Sequence, residues 1–384
     1  MLRKFLLFIL ILPHAVFAEY SYTVNNTNLT VSQSSEALNA DERYIYNYNR
    51  LRIGIDYTQE ALFGTFIADS VNYLGPGYID SDDFEYLSVL HADTPFKTQS
   101  VHKDYYEGST FVKLYRFYLG YEDDKNRIVS GLQNISMGVG RIWTPTNLYN
   151  PKNIYAFESD EVFGVAAIAY TRHLDETSQV TFVLSQKSDK SLKYGARYKS
   201  FLEFADFALN AVHSDETKMI GYELEGNLAD TGVELRSEGA YIRNSFEAGL
   251  MLEDETEFFQ GIIGADYGFV NGVTLVAEAL YSSKKFSYEE IVSNLSSEII
   301  PNMVSSKLYT ALSLSYSFTI FLDASLLYIE SFNDKNSRFI SPTLTYTMND
   351  YNTFSLGAML QDGEAGSDFA DAGSKYFFKY SLAF

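Results

Sequence analysis

The fold is decided by the last ten residues of the chain, Lys375-Tyr376-Phe377-Phe378-Lys379-Tyr380-Ser381-Leu382-Ala383-Phe384. Successive side chains of a β-strand point to opposite faces. One face here is an unbroken aromatic and apolar stripe, formed by Tyr376, Phe378, Tyr380, Leu382 and Phe384. A soluble protein seldom ends this way, because an exposed apolar edge strand pairs with other chains. In a membrane barrel the stripe faces lipid and the strand closes against the first one, so the pattern predicts a transmembrane barrel.

The same stretch resembles the C-terminal assembly signal of Gram-negative outer-membrane barrels, in which a final aromatic residue follows alternating hydrophobic residues. This resemblance implies location in the bacterial outer membrane, in contact with its lipid and lipopolysaccharide. It also implies periplasmic chaperones and the barrel-assembly machinery as partners during insertion.

The start of the chain indicates export. Residues 1–4 are basic, residues 5–12 form an apolar run, and Val16-Phe17-Ala18 places small residues where a signal peptidase cleaves. We predict a signal peptide over residues 1–18, cleaved after Ala18, since the apolar run is too short to span a membrane. The alternative is a buried N-terminal helix.

Composition limits the class of protein further. The chain has no Cys, which removes disulfides and thiolate metal sites, and its 31 Tyr and 29 Phe fit aromatic girdles at two membrane interfaces. No window beyond Leu12 is apolar enough for a spanning helix. The formal net charge of −21 makes nucleic acid a poor partner and attracts cations.

Segments of alternating polarity follow one another along the chain. We predict strands near 44–57, 60–74, 109–121, 128–142, 161–173, 177–186, 191–200, 204–213, 217–228, 231–243, 258–269, 272–283, 306–317, 320–331, 337–347, 351–361 and 374–384. Bacterial barrels carry an even number of strands, so the total is 18 if Tyr20–Ser32 contributes one, and otherwise 16. Residues 44–384 therefore form one all-β antiparallel barrel. Residues 19–43 supply a first strand, a periplasmic arm or a plug.

The breaks between strands differ in length in a regular way. Tight turns such as Val270-Asn271-Gly272 alternate with long breaks at 75–108, 143–160, 244–257, 284–305 and 362–373. All the long breaks fall at one end of an up-and-down barrel, as expected for extracellular loops opposite short periplasmic turns. The longest, 75–108, is predicted to fold inward and set the pore size.

Strand parity assigns the charged residues to the inner face. Leu322 and Ala324, for example, oppose Asp323, and Tyr115 and Phe117 oppose Arg116. The predicted pore-lining residues are Arg116, Glu223, Glu225, Glu234, Arg236, Glu238, Asp266, Glu278 and Asp323. A barrel of this width encloses a water-filled channel unless it is plugged. The acidic excess predicts a preference for cations; the alternative is that these charges only hold the wall together through ion pairs.

Residues 141–147 read Arg-Ile-Trp-Thr-Pro-Thr-Asn, and Gly264-Ala265-Asp266-Tyr267 follows later. The two pieces resemble sequences of Gram-negative porin-like barrels of the wider alginate-exporter type, which implies a porin-like barrel without naming a substrate. Gly138 and Gly140 predict a bend or a close backbone approach. Trp143 is predicted to lie at the outer membrane interface.

The motifs of enzymes and cofactor sites are missing from the sequence. No Gly-x-Ser-x-Gly or His-Glu-x-x-His motif occurs, and three successive residues such as His213-Ser214-Asp215 cannot converge in an extended chain. We predict no catalytic residues, no cofactor and no dedicated metal site. Loose Ca²⁺ binding by Asp82, Asp83 and Glu85 stays open.

These patterns together predict a passive, water-filled channel for small hydrophilic solutes or ions. One alternative is a plugged barrel that acts as a receptor or adhesin. Another is an exporter of an acidic polysaccharide, which the acidic charge opposes unless arginines cluster in the lumen. The sequence leaves open whether the barrel is a monomer or a homotrimer.

Overall fold

The structure, a computed structural model, describes residues 18–34, 43–246, 255–333, 336–364, 367–370 and 373–384. The rest of the predicted signal peptide, residues 1–17, lies outside this part of the chain. Eighteen antiparallel strands form one closed barrel, which confirms the predicted fold class.

The barrel strands, numbered β1 to β18 along the chain, are Glu19–Ser34, Arg43–Gln59, Leu62–Leu74, Gly108–Glu122, Asn126–Gln133, Val165–His173, Gln179–Gln186, Leu192–Phe201, Asp206–His213, Thr217–Asn227, Val233–Ser245, Glu255–Gly268, Val273–Ser282, Leu308–Thr319, Leu322–Phe332, Asn336–Asn349, Asn352–Gly363 and Lys375–Ala383. The connections contain a short strand at Lys103–Tyr105, helices α1 (Asp82–Val89) and α2 (Tyr288–Ser293), and 3-10 turns at Ala229–Thr231 and Ile300–Asn302. No helix in the described ranges is both long and apolar enough to cross a membrane.

Closure joins the two ends of the described chain. Residues 25–33 of β1 pair in antiparallel register with residues 375–383 of β18. Along its other edge β1 pairs with β2 over its whole length, from Glu19 opposite Thr58 to Ser34 opposite Arg43. Residues 19–34 are therefore part of the barrel wall, and each of the eighteen barrel strands has a paired neighbour on both sides.

The aromatic stripe of β18 lies on the outside of the barrel. Tyr376 is 50% exposed, Phe378 46% and Phe384 65%, whereas Phe377 between them is buried at 7%. Tyr380 belongs to the same outer face and donates a hydrogen bond from its hydroxyl to Asn352 Oδ1 at 2.7 Å. Large apolar side chains exposed on a closed barrel are stable only against lipid.

A charge on this stripe is expected to weaken the barrel. Phe378→Arg places a guanidinium against lipid in the closing strand, at a cost of about 2–4 kcal/mol near mid-bilayer. The folded fraction, read as heat-modifiable mobility on a gel, should fall at a lower urea concentration than in the wild type. Ser381→Arg, on the inner face of the same strand, is the control and should leave the midpoint nearly unchanged. Equal shifts for both variants would show that Phe378 does not face lipid.

All the long connections lie at one end of the barrel, as predicted, but the second, predicted at 143–160, is longer than the sequence indicates. The predicted strand 128–142 ends at Gln133, and residues 134–164 connect β5 to β6. Because β5 stops early, the extracellular half of β4 has no partner there and pairs instead with residues 98–105 of the connection between β3 and β4. Ser100 N donates to Val112 O at 2.9 Å, and Leu114 N donates to Thr98 O at 2.7 Å.

Candidate functional site

Residues 134–164, named the inward segment, enter the lumen after β5. One part of the segment bonds to side chains of β10, β11 and β13, and a later part bonds to side chains of β2 and β4. The first group of strands is centred on β12 and the second on β3. These two strands are nine positions apart in the closed 18-stranded sheet, so the two regions of wall face each other. The segment therefore crosses the barrel from one side to the other.

Glu238 on β11 holds the first part of the segment by its backbone. Its carboxylate accepts hydrogen bonds from the N–H groups of Val139 (2.8 Å), Gly140 (3.1 Å) and Thr146 (2.7 Å). The Thr146 hydroxyl donates to the same carboxylate at 2.7 Å. Glu238 is fully buried at 0% exposure. A buried carboxylate is stable when several donors satisfy it, and here the donors belong to the segment.

Glu278 on β13 binds the next three residues in the same way. Its carboxylate accepts from the backbone N–H groups of Arg141 (3.0 Å), Ile142 (3.2 Å) and Trp143 (2.7 Å). These amides have no neighbouring strand to bond to, since the segment has left the wall. The carboxylate supplies the acceptors that a β-ladder would otherwise give.

Glu223 on β10 completes the set. It accepts from Gly138 N at 2.8 Å, from Asn210 Nδ2 at 2.7 Å and from Arg197 Nε at 3.2 Å. Gly138 has a φ of 95°, a left-handed conformation that favours glycine and turns the chain toward the wall. The bend predicted from the two glycines is thus present and lies at the point where the segment meets Glu223.

These contacts correct part of the predicted pore lining. Glu223, Glu238 and Glu278 are on the inner face but are 1%, 0% and 3% exposed, because the segment covers them. They anchor the segment and do not line an open path. Arg236 is buried in the same layer, at 3%.

Arg141 is a charge that the first part of the segment presents to the lumen. Its Nη2 lies 2.9 Å from Glu225 and 2.7 Å from Glu234, and its Nε lies 3.2 Å from Asp266. The Arg141 side chain is 46% exposed, and the three acids are between 19% and 33% exposed. These four residues, named the acidic ring, meet water inside the barrel and carry a net charge of −2, three acids against one base.

Arg236 lies behind the acidic ring. It forms an ion pair with Asp266 and approaches Glu278 at 3.7 Å and Glu234 at 4.0 Å, with its side chain fully buried. The predicted wall-holding ion pairs are therefore present for Arg236 and Glu234, but Glu238 bonds to the inward segment instead.

The other part of the segment meets two arginines of β2. Arg50 Nη1 lies 3.1 Å from both Glu158 and Glu161. Arg52 Nη2 lies 2.8 Å from Glu161, and Arg52 Nε lies 2.7 Å from Asp69 on β3. The sequence prediction missed both arginines, although they share the parity of Tyr48 and oppose Leu51 and Ile53. The list of lumen charges thus gains Arg50, Arg52, Asp69, Glu158 and Glu161.

A β-bulge at Tyr115 changes the predicted parity of β4. Ile67 pairs with Arg116 and Ala68 with Leu114, so Tyr115 is the extra residue and does not face lipid as predicted. Its ring lies 3.6 Å from the Arg52 guanidinium and 3.9 Å from that of Arg116. Arg116 faces inward as predicted and donates to Val162 O at 3.0 Å, so it also holds the segment.

The wall nearer the short turns is polar and open. Ser315 and Ser317 on β14 are exposed on the inner face, and the Ser317 hydroxyl donates to Asp323. Thr345 and Ser355 bond to each other at 3.1 Å on the same side of the barrel. Asp323 thus lies on the inner face toward the periplasmic end, in a wall of hydroxyl groups that water can reach.

The loop 75–108 folds inward, as predicted, and packs on the inner face of the wall at the extracellular end of the barrel. Tyr78 stacks on Tyr46 with ring centroids 3.7 Å apart, and Phe84 packs against Tyr73 at 5.4 Å. These aromatic contacts hold the loop against β2 and β3 at the extracellular end. The loop and the inward segment together line a cavity with the charged wall residues Arg50 and Lys113.

The acids of that loop belong to a helix. Asp82, Asp83 and Glu85 occupy the first turn of α1, whose N-terminus is capped by Ser81. Acidic residues there interact favourably with the helix dipole. Within the described ranges no group of three or more His, Asp or Glu residues could hold a metal ion.

The sequence predicted that Trp143 lies at the outer membrane interface. This prediction is wrong, because Trp143 lies inside the barrel. Its ring is 6.1 Å from that of Tyr309 on β14. Trp143, Tyr155 and Met303 line a cavity of about 470 Å³ between the inward segment and the loop after β13. The backbone bond to Glu278 draws Trp143 into the lumen, which the local sequence could not indicate.

Glu298, in the extracellular loop 283–307, joins this loop to the neighbouring connections 187–191 and 214–216. Its carboxylate lies 3.0 Å from Lys187 Nζ and 3.3 Å from Lys193 Nζ, and accepts from the Ser214 hydroxyl at 2.9 Å. Burial opposes ionisation of Glu298, but the two lysines outweigh it and hold the pKa of its carboxyl below its ordinary value of 4.5. The tie fastens the loop 283–307 beside the mouth.

We expect this tie to open in acid. Because the folded-state pKa is lowered, the pairing stabilises the loop fully above the ordinary pKa of 4.5 and is lost as the pH falls through the lowered pKa. Hydrogen-exchange protection of residues 294–302 should be high at pH 6 and low at pH 3. Glu298→Gln should remove the protection at pH 6 already, whereas Glu289→Gln on exposed α2 should not. Protection that is independent of pH would exclude this role for Glu298.

Comparison with known proteins gives structural likeness only. No protein-family model matches the chain, and no curated protein matches it by sequence. Acinetobacter baumannii OccAB1 superposes with a TM-score of 0.61 at 10% identity, over 95% of this chain and 96% of that one. Pseudomonas aeruginosa OccK5 (OpdH) gives 0.61 at 9%, over 95% and 98%. Pseudomonas aeruginosa OpdK, solved with vanillate, gives 0.54 at 10%, over 95% and 98%.

Identities near 10% establish the fold and nothing finer. The match covers nearly the whole of both chains, so it extends to the complete barrel and not to a part of it. A closed barrel with an aromatic stripe on its outer face agrees with this likeness. The chain has the closed β-barrel fold of Gram-negative outer-membrane porins.

Proposed function

We propose that this barrel is a passive, water-filled channel for small hydrophilic solutes, with a preference for cations. The observation that carries the proposal is the acidic ring of Arg141, Glu225, Glu234 and Asp266, which is exposed to the lumen beside the inward segment. Its net charge of −2 attracts cations at the narrowed part of the barrel.

The opposite wall supports the same preference because its charges are balanced. The bases Arg50, Arg52 and Lys113 are matched there by the acids Asp69, Glu158 and Glu161. Arg116 is buried and bonded to backbone carbonyls, so it adds little to the field in the water path. The acidic ring keeps an excess of acid beside the segment even when Arg236, which pairs with Asp266 behind it, is counted as a base.

Single-channel recording of the refolded mature protein tests this proposal. In a planar bilayer with a salt gradient we expect steady ohmic steps and a reversal potential of the sign that cation selectivity gives. A folded barrel that does not conduct would contradict it and would favour a plugged receptor or adhesin.

Passage of an anionic solute is the second candidate. Arg50, Arg52, Lys113 and Arg116 do cluster on one side of the lumen, which is the arrangement that an exporter of an acidic polysaccharide would need. OpdK was solved with vanillate, a carboxylate. An anion-selective reversal potential in the same recording would favour this candidate over a cation-preferring channel.

Export and assembly belong to the same proposal. Cleavage after Ala18 would leave Glu19, the first residue of β1, as the new N-terminus. The aromatic stripe of β18 would be recognised by periplasmic chaperones and the barrel-assembly machinery. Mass spectrometry of the protein from outer membranes checks the cleavage site, and its native mass distinguishes a monomer from a homotrimer.

A further inference from the structure

The cavity beside Trp143, named the aromatic cavity, has a volume of about 470 Å³. Helix α1, the inward segment, the loop after β13 and the connection between β17 and β18 all contribute to its lining. Three of the lining rings are accessible, since Tyr86 is 46% exposed, Tyr155 is 38% exposed and Trp143 is half-buried. Small-molecule sites in proteins span about 300–1,000 Å³, so the cavity can hold a small solute.

Neighbouring aromatic side chains fix the two rings that the inward segment contributes. The Trp143 ring lies 6.1 Å from that of Tyr309 on β14, measured between centroids. The Tyr155 ring lies 5.2 Å from that of Phe339 and 5.7 Å from that of Phe369. Rings that are already in place lose little conformational entropy when a ligand binds, and their faces carry a negative potential that attracts cations.

Asp368, in the connection between β17 and β18, adds a negative charge to this lining. Its carboxylate accepts hydrogen bonds from the Tyr309 hydroxyl at 2.8 Å and from the Ser331 hydroxyl. Within the described ranges no Lys or Arg forms an ion pair with Asp368. Lys152 also lines the cavity, but it pairs with Asp160 at 3.2 Å. Both hydrogen-bond partners of the Asp368 carboxylate are neutral, so its charge is left to attract a ligand.

We propose that the aromatic cavity binds a small organic cation of the quaternary ammonium class. The methyl groups of the cation lie against the faces of Trp143 and Tyr155, and Asp368 supplies the opposite charge. A quaternary ammonium donates no N–H hydrogen bond and is recognised by aromatic faces, whereas Ca²⁺ and Mg²⁺ need several oxygen ligands. The inference rests on the proposed function, because it names the class of cation that the channel takes up. Trp143 follows closely after Arg141 in the chain, so the cavity lies beside the acidic ring.

Titration of the folded barrel with choline, in a maltoside detergent that carries no ammonium group, tests the inference. Trp143 is the single Trp of the chain, so a saturable change in its emission reports binding in this cavity, and calorimetry gives the affinity independently. Asp368→Asn removes the charge and should weaken the binding of choline by about tenfold or more. Asp362→Asn is the matched control, because Asp362 is exposed at the end of β17 and pairs with Arg338 at 2.8 Å.

Variants of Tyr155 test the contribution of the ring. Tyr155→Leu should weaken the binding of choline about twofold to fivefold, since it removes one aromatic face. Tyr155→Phe keeps the ring and should bind choline more tightly than the leucine variant. The neutral analogue of choline, in which a tert-butyl group replaces the trimethylammonium group, should bind the wild type about tenfold more weakly than choline does.

The outcomes separate the site, its ligand and the channel. Heat-modifiable mobility shows that each variant is folded. Absence of saturable choline binding, or equal losses in Asp368→Asn and Asp362→Asn, would overturn the site. Equal affinity for the neutral analogue, or tighter binding of benzoate than of choline, would overturn the assignment to a cation. A barrel that conducts but does not bind choline contradicts this inference alone, and one that binds choline but does not conduct contradicts the channel proposal alone.

Discussion

Glu238→Gln is expected to loosen the inward segment and raise the single-channel conductance. The glutamine keeps one acceptor oxygen but places an NH₂ group against N–H donors that now bond to a carboxylate. Losing charge-assisted hydrogen bonds at a buried site weakens the anchoring by on the order of 3 kcal/mol. The segment would then leave the wall part of the time, and the open current should become larger and noisier.

Planar-bilayer recording of the folded variant measures this effect. Glu257→Gln, which removes an exposed carboxylate from the outer face of β12, is the control and should conduct like the wild type. Heat-modifiable mobility shows that each variant closes as a barrel. An unchanged, quiet conductance in Glu238→Gln would mean that Glu238 does not hold the segment.

Neutralising the acidic ring is expected to reverse the ion preference. In the triple variant Glu225→Gln, Glu234→Gln and Asp266→Asn, Arg141 keeps its charge without any of its three partners. The field beside the inward segment then changes from net negative to net positive. The reversal potential in a salt gradient should change sign.

The matched control removes three acids outside the lumen, by Glu255→Gln, Glu257→Gln and Asp362→Asn. This variant has the same net charge as the first, so it separates a local effect from that of overall charge. It should keep the cation preference of the wild type. If both triple variants shift the reversal potential equally, selectivity does not arise at the acidic ring.

Strand parity predicted the barrel wall well because the wall follows a local rule. On β18 the outward stripe from Tyr376 to Phe384 could be read directly, since lipid and water select opposite faces of one strand. The same rule placed Asp266 and Asp323 inside. Arg50 and Arg52 follow the same rule, because they alternate with Leu51 and Ile53, but they were not predicted as residues of the lumen.

The inward segment could not be predicted in this way. Residues 134–142 alternate like a strand, with Ile135 and Met137 on one parity, and the structure buries these two at 8% and 3% in the lumen. The acceptors for its backbone amides are carboxylates between 85 and 137 residues further along the chain. No local pattern reveals that glutamates so distant take the place of a neighbouring strand.

The bulge at Tyr115 shows the second limit of parity. One extra residue reverses the facing of part of a strand without changing its composition. Tyr115 therefore appeared to face lipid, although it stacks on Arg52 in the lumen at 3.6 Å. The register with β3 fixes this position, because Ile67 pairs with Arg116 and Ala68 with Leu114, and β3 is distant from Tyr115 in the sequence.

The central claim is that water and ions pass through the barrel beside the inward segment, and thiol labelling in a planar bilayer tests it most directly. The protein has no Cys, so Ser315→Cys introduces a single thiol on the exposed inner face, and Leu314→Cys introduces one on the outer face at the same height. A cationic thiosulfonate reagent should reduce the current of Ser315→Cys in discrete steps and react faster than an anionic one, while Leu314→Cys stays unaffected. A labelled Ser315→Cys barrel whose current does not change would contradict the account.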